Sequence, residues 1–282
     1  MIIGCFALVE PFATMERQFE ALAEMGITHA DLTDSHDGGS LGVEFGFTAS
    51  VSLDIHPGRI REMTDRCGIT LSAVCAHANL LDPTDPSVYG TAQIIKAVRL
   101  AHLLGITEVI TTEGEPNTSF GRGLDRCERL FSIREKLQAP LAWAEELGVQ
   151  LLLESHGPVT DSIEDMGDLL DSMGHEDILG VCLDTGNSWL GGADPVAYAR
   201  AFGPRIRHVH WKDMPAEAEA GRGNAFGCGM ASIAVGDGVV DISGVLRELH
   251  RSGFDGATTL EVAGAENVKR SIQRLNQWLA EG

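Results

Sequence analysis

Four residues with metal-ligating side chains each close a short apolar run of this sequence: Glu154 ends LLLE, Asp184 ends VCLD, His210 ends RHVH and Glu261 ends TTLE. A single carboxylate at such a position ordinarily caps a helix or answers a nearby cation, and a single histidine is ordinarily a satisfied polar group. Four in matching positions favour a shared ion. Three carboxylates and one imidazole make a hard, anionic donor set. It suits Mn²⁺ first, with Mg²⁺ or Co²⁺ as alternatives, more than a thiolate-rich zinc centre does. In octahedral coordination, four protein ligands leave two positions, which a carbonyl and a neighbouring hydroxyl would fill.

Other polar residues stand close to these four in sequence. His156 follows Glu154 by two and Lys212 follows His210 by two. An extended chain alternates its faces, so each is expected on the same side as its ligand, within reach of a substrate. A strand-end lysine can equally bridge to Asp213. Asn187, in VCLDTGN, can hydrogen-bond a hydroxyl but cannot carry a proton at neutral pH. His77 closes AVCAH and is expected either as a substrate contact or as a buried structural histidine. Glu113 and Glu115, in TTEGEP, read as solvated loop charge.

What positions these residues is a repeating unit. Apolar runs rich in Ile, Val and Leu recur at 2–9, 27–33, 70–77, 108–112, 150–154, 180–184, 206–210 and 257–262, and read as eight strands. Helical periodicity fills the intervals at 14–25, 56–67, 87–104, 124–147, 162–173, 195–202, 242–252 and 265–279. Gly26, Gly68, Gly105, Gly148 and Gly253 each fall between a helix and the next strand, where a left-handed cap is wanted. Strand–helix alternation allows either a doubly wound sheet or a barrel. There is no GxGxxG after the first strand and no GxxxxGK[ST], whereas polar residues end strand after strand. That pattern predicts a (β/α)₈ barrel, an α/β fold whose C-terminal strand ends form one face. One domain over residues 1–282 is expected, with long loops near 34–55 and 214–240.

The motifs LLLESHG, CLDTGN, HVHWKD followed by VGDGVVD, and TTLEV resemble the sugar phosphate isomerase/epimerase group of xylose isomerase-like TIM barrels. That group includes ketose 3-epimerases, hydroxypyruvate isomerases and inosose dehydratases. The resemblance covers strands five to eight well and the N-terminal half more loosely. It implies that Glu154, Asp184, His210 and Glu261 ligate a divalent metal. It also implies that Glu154 and Glu261 serve as the proton-transfer pair in an isomerase or epimerase acting on a ketose through an enediolate.

This chain departs from the group at its sixth strand, which usually reads Asp-x-Gly-His where the sequence here is Asp184-Thr185-Gly186-Asn187. The departure removes an acid or base and brings elimination, by a dehydratase or lyase acting on a 3-keto-sugar or inosose, close behind. A non-catalytic sugar-binding subunit is the third reading. Within this frame His156, Asn187, Lys212 and His77 are substrate-binding candidates, and Trp211, Trp189 and Phe226 are candidates for stacking on a sugar ring or for packing beneath the loops, with Trp211 preferred. His77 also resembles the strand-end histidine of endonuclease IV-type enzymes, but HVHWKD lacks their asparagine-aspartate dipeptide.

The bulk properties agree with a small-molecule enzyme. The chain has 21 Lys and Arg against 41 Asp and Glu, a formal charge of −20, which argues against a nucleic-acid partner. No stretch approaches the ~18 uninterrupted apolar residues of a membrane span, and MIIGCFALVEPF reads as a first strand with no cleavable leader. Six cysteines without a CxxC pair read as free thiols of a cytoplasmic protein. A sugar substrate and a homo-oligomer are expected as partners.

Overall fold

The computed structural model describes residues 1–33, 53–83, 90–229 and 233–281, together with two short strands, Gly39–Ser40 and Phe47–Thr48, which pair antiparallel. Eight parallel strands close a barrel: β1 (Ile2–Phe6), β2 (His29–Thr33), β3 (Thr70–Ala76), β4 (Glu108–Thr111), β5 (Gln150–Glu154), β6 (Leu179–Asp184), β7 (Ile206–Trp211) and β8 (Ala257–Leu260). Each pairs with its successor, and β1 pairs with both β2 and β8, so that Cys5 is matched to Ala30 on one side and to Leu260 on the other. This closure excludes the doubly wound alternative. All eight strands lie at the expected places, most of them one to three residues shorter.

Helices cover the outside at Met15–Glu24, Pro57–Cys67, Gly90–Leu104, Arg126–Leu147, Ile163–Met173, Pro195–Phe202, Ile242–Arg251 and Ala265–Glu281. Their starts are fixed by side-chain caps. Asp125 forms a reciprocal capping box with Glu128, and Thr14, Ser162, Asp194 and Asp241 each accept a hydrogen bond from the first turn. Two short helices were not expected, Ser119–Gly123 and Thr185–Leu190, because a single turn containing glycine leaves no periodicity to detect. The loop expected at 34–55 and the first residues of the helix expected at 87–104 fall largely outside the described residues.

Side-chain alternation divides the core in two. Phe6, Leu8, Ala73, Cys75, Ile110, Leu152 and Cys182 fill the barrel interior, while residues of opposite parity, such as Val74, Val109, Leu151, Leu153, Val181 and Val209, pack outward against the helices. Burial on both faces explains why the strands read as continuous apolar runs. No helix among the described residues is long and apolar enough to cross a membrane.

The five glycines predicted to cap helices all have positive φ. Gly148, at +65°, follows the 22-residue helix Arg126–Leu147, and a Cβ there would meet nothing within 4 Å. Gly148→Ala is therefore expected to cost about 1–2 kcal/mol through backbone conformation alone. Urea unfolding measures this, and an unchanged midpoint would show that the left-handed cap is dispensable.

Candidate metal centre

The four strand-end residues meet. Glu154 and Asp184 are the last residues of β5 and β6, His210 is the penultimate residue of β7, and Glu261 directly follows β8. All four are buried, and one donor atom from each lies within 4.8 Å of the others. His210 Nδ1 stands 3.6 Å from Glu154 Oε1, 3.6 Å from Glu261 Oε2 and 4.0 Å from Asp184 Oδ2.

Hydrogen bonds between neighbouring strand ends hold this geometry. Ser155 Oγ accepts from Asp184 N and donates to the Asp184 carbonyl, tying β5 to β6. Thr185 Oγ1 accepts from Lys212 N and donates to the Lys212 carbonyl, tying β6 to β7. Asp184 serves twice: Oδ1 accepts from Asn187 N and caps the helix Thr185–Leu190, and Oδ2 faces the other ligands. The capping role ordinarily assigned to a strand-end aspartate and the metal role are carried by different oxygens of one side chain.

The donor set fits a divalent cation. Glu154 Oε2, Asp184 Oδ2, His210 Nδ1 and Glu261 Oε2 are buried with no well-directed hydrogen bond, which is costly for such groups unless an ion coordinates them. The three carboxylates make the site anionic, and Lys212 answers part of that charge. Its Nζ lies 2.8 Å from Glu261 Oε2 and 3.0 Å from Asp184 Oδ2. The lysine therefore pairs with two of the candidate ligands and not with Asp213.

Electrostatics of this kind displace the titrations of the protein groups. Burial pushes Asp184 up to about 7, against the attraction of Lys212. Burial also opposes ionisation of Glu154, but His210 and His156 outweigh it and hold Glu154 well below the usual carboxylate range. His210 is raised well above an ordinary histidine despite its burial. The adjacent Cys182 thiol is itself pushed up to about 12 by burial and stays neutral, so the attraction at His210 comes from Glu154 and Asp31.

The remaining sequence candidates divide. His156 shares the site, with Nδ1 3.9 Å from Glu154 Oε1 and Nε2 3.3 Å from Glu115 Oε1. Burial works against its charged form, yet Glu115 and Glu154 raise it to about 10. His77, half-buried at the end of β3, lies 6.3 Å from His156 between ring centres and 3.3 Å from Thr33 Oγ1. Asn187 is fully buried and engaged at both ends. Its nitrogen donates to Glu154 Oε1, and its oxygen accepts from Cys228 N at 2.9 Å and lies 3.0 Å from Cys228 Sγ. It thus ties a metal-ligand candidate to the glycine-rich segment after β7.

Two expectations need correction, those for Trp211 and Glu113. Trp211 does not face the site: it alternates with His210 and Lys212, so its ring is buried in the outer layer between β7 and the helices. Trp189 takes the packing alternative: it is buried beneath Arg222, whose guanidinium lies 5.0 Å from its ring centre. Glu113 is not solvated loop charge. It is fully buried and accepts from Val159 N and Thr160 N, anchoring the loop that carries His156, and burial pushes it up to about 7.

Asp213 was missed as an organising residue. Its carboxylate accepts from the backbone of Met214, Gly236, Gly238 and Val240, fixing the VGDGVV turn against the end of β7. The spacing between HWKD and VGDG was the available signal, since closely set glycines leave backbone N–H groups that a nearby carboxylate can gather.

With this geometry established, comparison with known proteins places the fold. Residues 19–281 match the family described as xylose isomerase-like TIM barrel. This chain belongs to that family. It is similar to an inosose dehydratase of Lacticaseibacillus casei, 29% identical over 144 residues, or 49% of this chain and 47% of that protein. The chain spans about half the length of the curated relatives it matches. Among solved structures it is similar to a D-tagatose 3-epimerase-like protein, with a TM-score of 0.75 and 19% identity over 99% of this chain and 97% of that one. It is also similar to IolI protein with a bound zinc atom, at 0.71 and 16% over 100% and 97%. At these identities the structural likeness is one of fold.

Metal uptake at this centre should release protons. A histidine ligand must present a bare Nδ1, and His210 is raised by its carboxylate neighbours, so protons and metal compete. Affinity should therefore fall as pH falls, by about tenfold per unit for each proton displaced. Calorimetry with Mn²⁺ in buffers of different ionisation enthalpy counts those protons, and pH-independent binding would remove His210 from the ligand set.

Proposed function

We propose that this protein is a metal-dependent isomerase or epimerase of a small keto-sugar, which removes and returns a proton beside the carbonyl. The observation supporting this reading is that Glu154 and Glu261, from strands on either side of β6 and β7, each approach His210 Nδ1 to 3.6 Å. A divalent ion held by Glu154, Asp184, His210 and Glu261, Mn²⁺ by the chemistry of the donors, would polarise the substrate carbonyl and acidify the adjacent carbon.

The protein's own groups then act as follows. One glutamate accepts the carbon-bound proton while the other faces the opposite side of the resulting enediolate. Return of a proton on that side gives an epimer, and return at the neighbouring carbon gives an isomer. His156 beside Glu154 and Lys212 beside Glu261 offer donors to substrate hydroxyls at both ends of the site. Asn187, bonded to Glu154, orients that carboxylate.

A second reading is elimination of a β-hydroxyl from the same enediolate, as in a dehydratase acting on a 3-keto-sugar or inosose. His156 favours it: held between Glu115 and Glu154, it stands where a leaving hydroxyl could take a proton. The similarity to inosose dehydratases supports the same outcome.

Incubation of the Mn²⁺-loaded protein with keto-sugars in D₂O, followed by NMR, tests both readings. Deuterium should enter the carbon beside the carbonyl, with an epimer or isomer accumulating, whereas a conjugated enone absorbance would select elimination. Glu154→Gln and Glu261→Gln should each lower exchange by about 10²–10⁴-fold. Full activity in either variant removes that residue from the reaction, and no exchange into any keto-sugar would leave only sugar binding.

A further inference from the structure

Beneath the metal centre, the barrel interior holds a line of charged side chains where apolar packing is the norm. Asp31, on β2, is fully buried, with Oδ2 3.5 Å from His210 Nε2 and 3.0 Å from His208 Nε2, ion-pair contacts in which neither Asp31 oxygen nor His210 Nε2 makes a well-directed hydrogen bond. His208, two residues before His210 on β7 and also fully buried, places Nδ1 2.9 Å from Glu108 Oε2. Its Nε2 also lies 3.1 Å from Thr259 Oγ1. Glu108, at the start of β4, reaches a cleft at the opposite end of the barrel, shared with Gln150 and Arg207. Glu108, His208, Asp31 and His210 therefore run in series from that cleft to the metal centre.

A carboxylate in the middle of a barrel is unfavourable unless a partner requires it. Here the partner is the far side of a ligand ring. His210 can offer Nδ1 to a metal only in the tautomer whose proton sits on Nε2, and a carboxylate facing Nε2 stabilises that tautomer and fixes the ring plane. Phe6, 5.0 Å away edge-on, supports the ring sterically but has nothing to offer its N–H.

We propose that Asp31 is a positioning residue of the metal centre, holding His210 with Nδ1 free for the ion, and that His208 and Glu108 hold Asp31 in turn. The inference rests on the reading of Glu154, Asp184, His210 and Glu261 as metal ligands. Asp31 acts through His210 and touches no substrate.

Mn²⁺ titration of the wild type, Asp31→Asn, His208→Gln and Asp82→Asn tests the proposal. Asp82 is another buried carboxylate, bonded to Asn79 and Thr118 and to none of the four candidate ligands, and controls for loss of a buried charge as such. Asp31→Asn should weaken Mn²⁺ binding by about 10–100-fold, His208→Gln by less, and Asp82→Asn not at all. In the Mg²⁺-loaded wild type, long-range ¹H–¹⁵N NMR should find the His210 proton on Nε2, a readout that does not depend on any variant folding.

Unchanged Mn²⁺ affinity in a folded Asp31→Asn protein, or a His210 proton on Nδ1, overturns the proposal. So does a second ion per chain that disappears in Asp31→Asn, because Asp31, Cys75 and His210 would then be ligands of that ion. Failure of the wild type to bind Mn²⁺ or Mg²⁺ overturns the underlying metal reading, an outcome distinct from normal wild-type binding with an insensitive Asp31.

Discussion

Mutual repulsion among Glu154, Asp184 and Glu261 is the constraint around which the rest of this barrel is arranged. Three carboxylates with donor atoms inside one sphere of contact, almost wholly removed from water, are unfavourable unless positive charge is brought to them. The fold brings it from several sides: Lys212 from the end of β7, His156 from beyond β5, and the His210 ring in the middle. A divalent ion held by these residues would complete the balance and turn a destabilising concentration of charge into a binding site.

Holding the carboxylates together requires the strand ends to be rigid, and short polar side chains supply the rigidity. Ser155 and Thr185 each exchange two hydrogen bonds with the neighbouring strand's end. Asp213 and Glu113, whose carboxylates gather backbone N–H groups, fix the loops after β7 and β5. Neither carboxylate points into the site. Both show acidic residues near the candidate site acting as struts, a use that depends on geometry and not on reactivity.

Much of this was legible in the sequence, and the physical reasons are specific. The eight strands were visible because both faces of a barrel strand are buried, and the ends of β5, β6 and β8 because a carboxylate closes each apolar run. Closure followed from polar residues at the same end of successive strands. Trp211 was misplaced where the alternation already applied to His210 and Lys212 had not been carried to the residue between them. The turn-long helix after Asp184 gave no periodic signal, although its capping aspartate was in view. Asp31 and His208 were unreadable, since a single Asp or His within a strand carries no mark of which interior partner it will meet across the barrel.

The two-residue alternation has a consequence for how this protein can change. On β7, His208, His210 and Lys212 point inward and Val209 and Trp211 outward, so one strand contributes to two structures that share no side chains. Substitutions on the inner parity alter chemistry and leave helix packing untouched, and substitutions on the outer parity do the reverse. Inward residues of this strand can therefore be exchanged without rebuilding the shell of helices, which lets a single scaffold try different interiors one residue at a time.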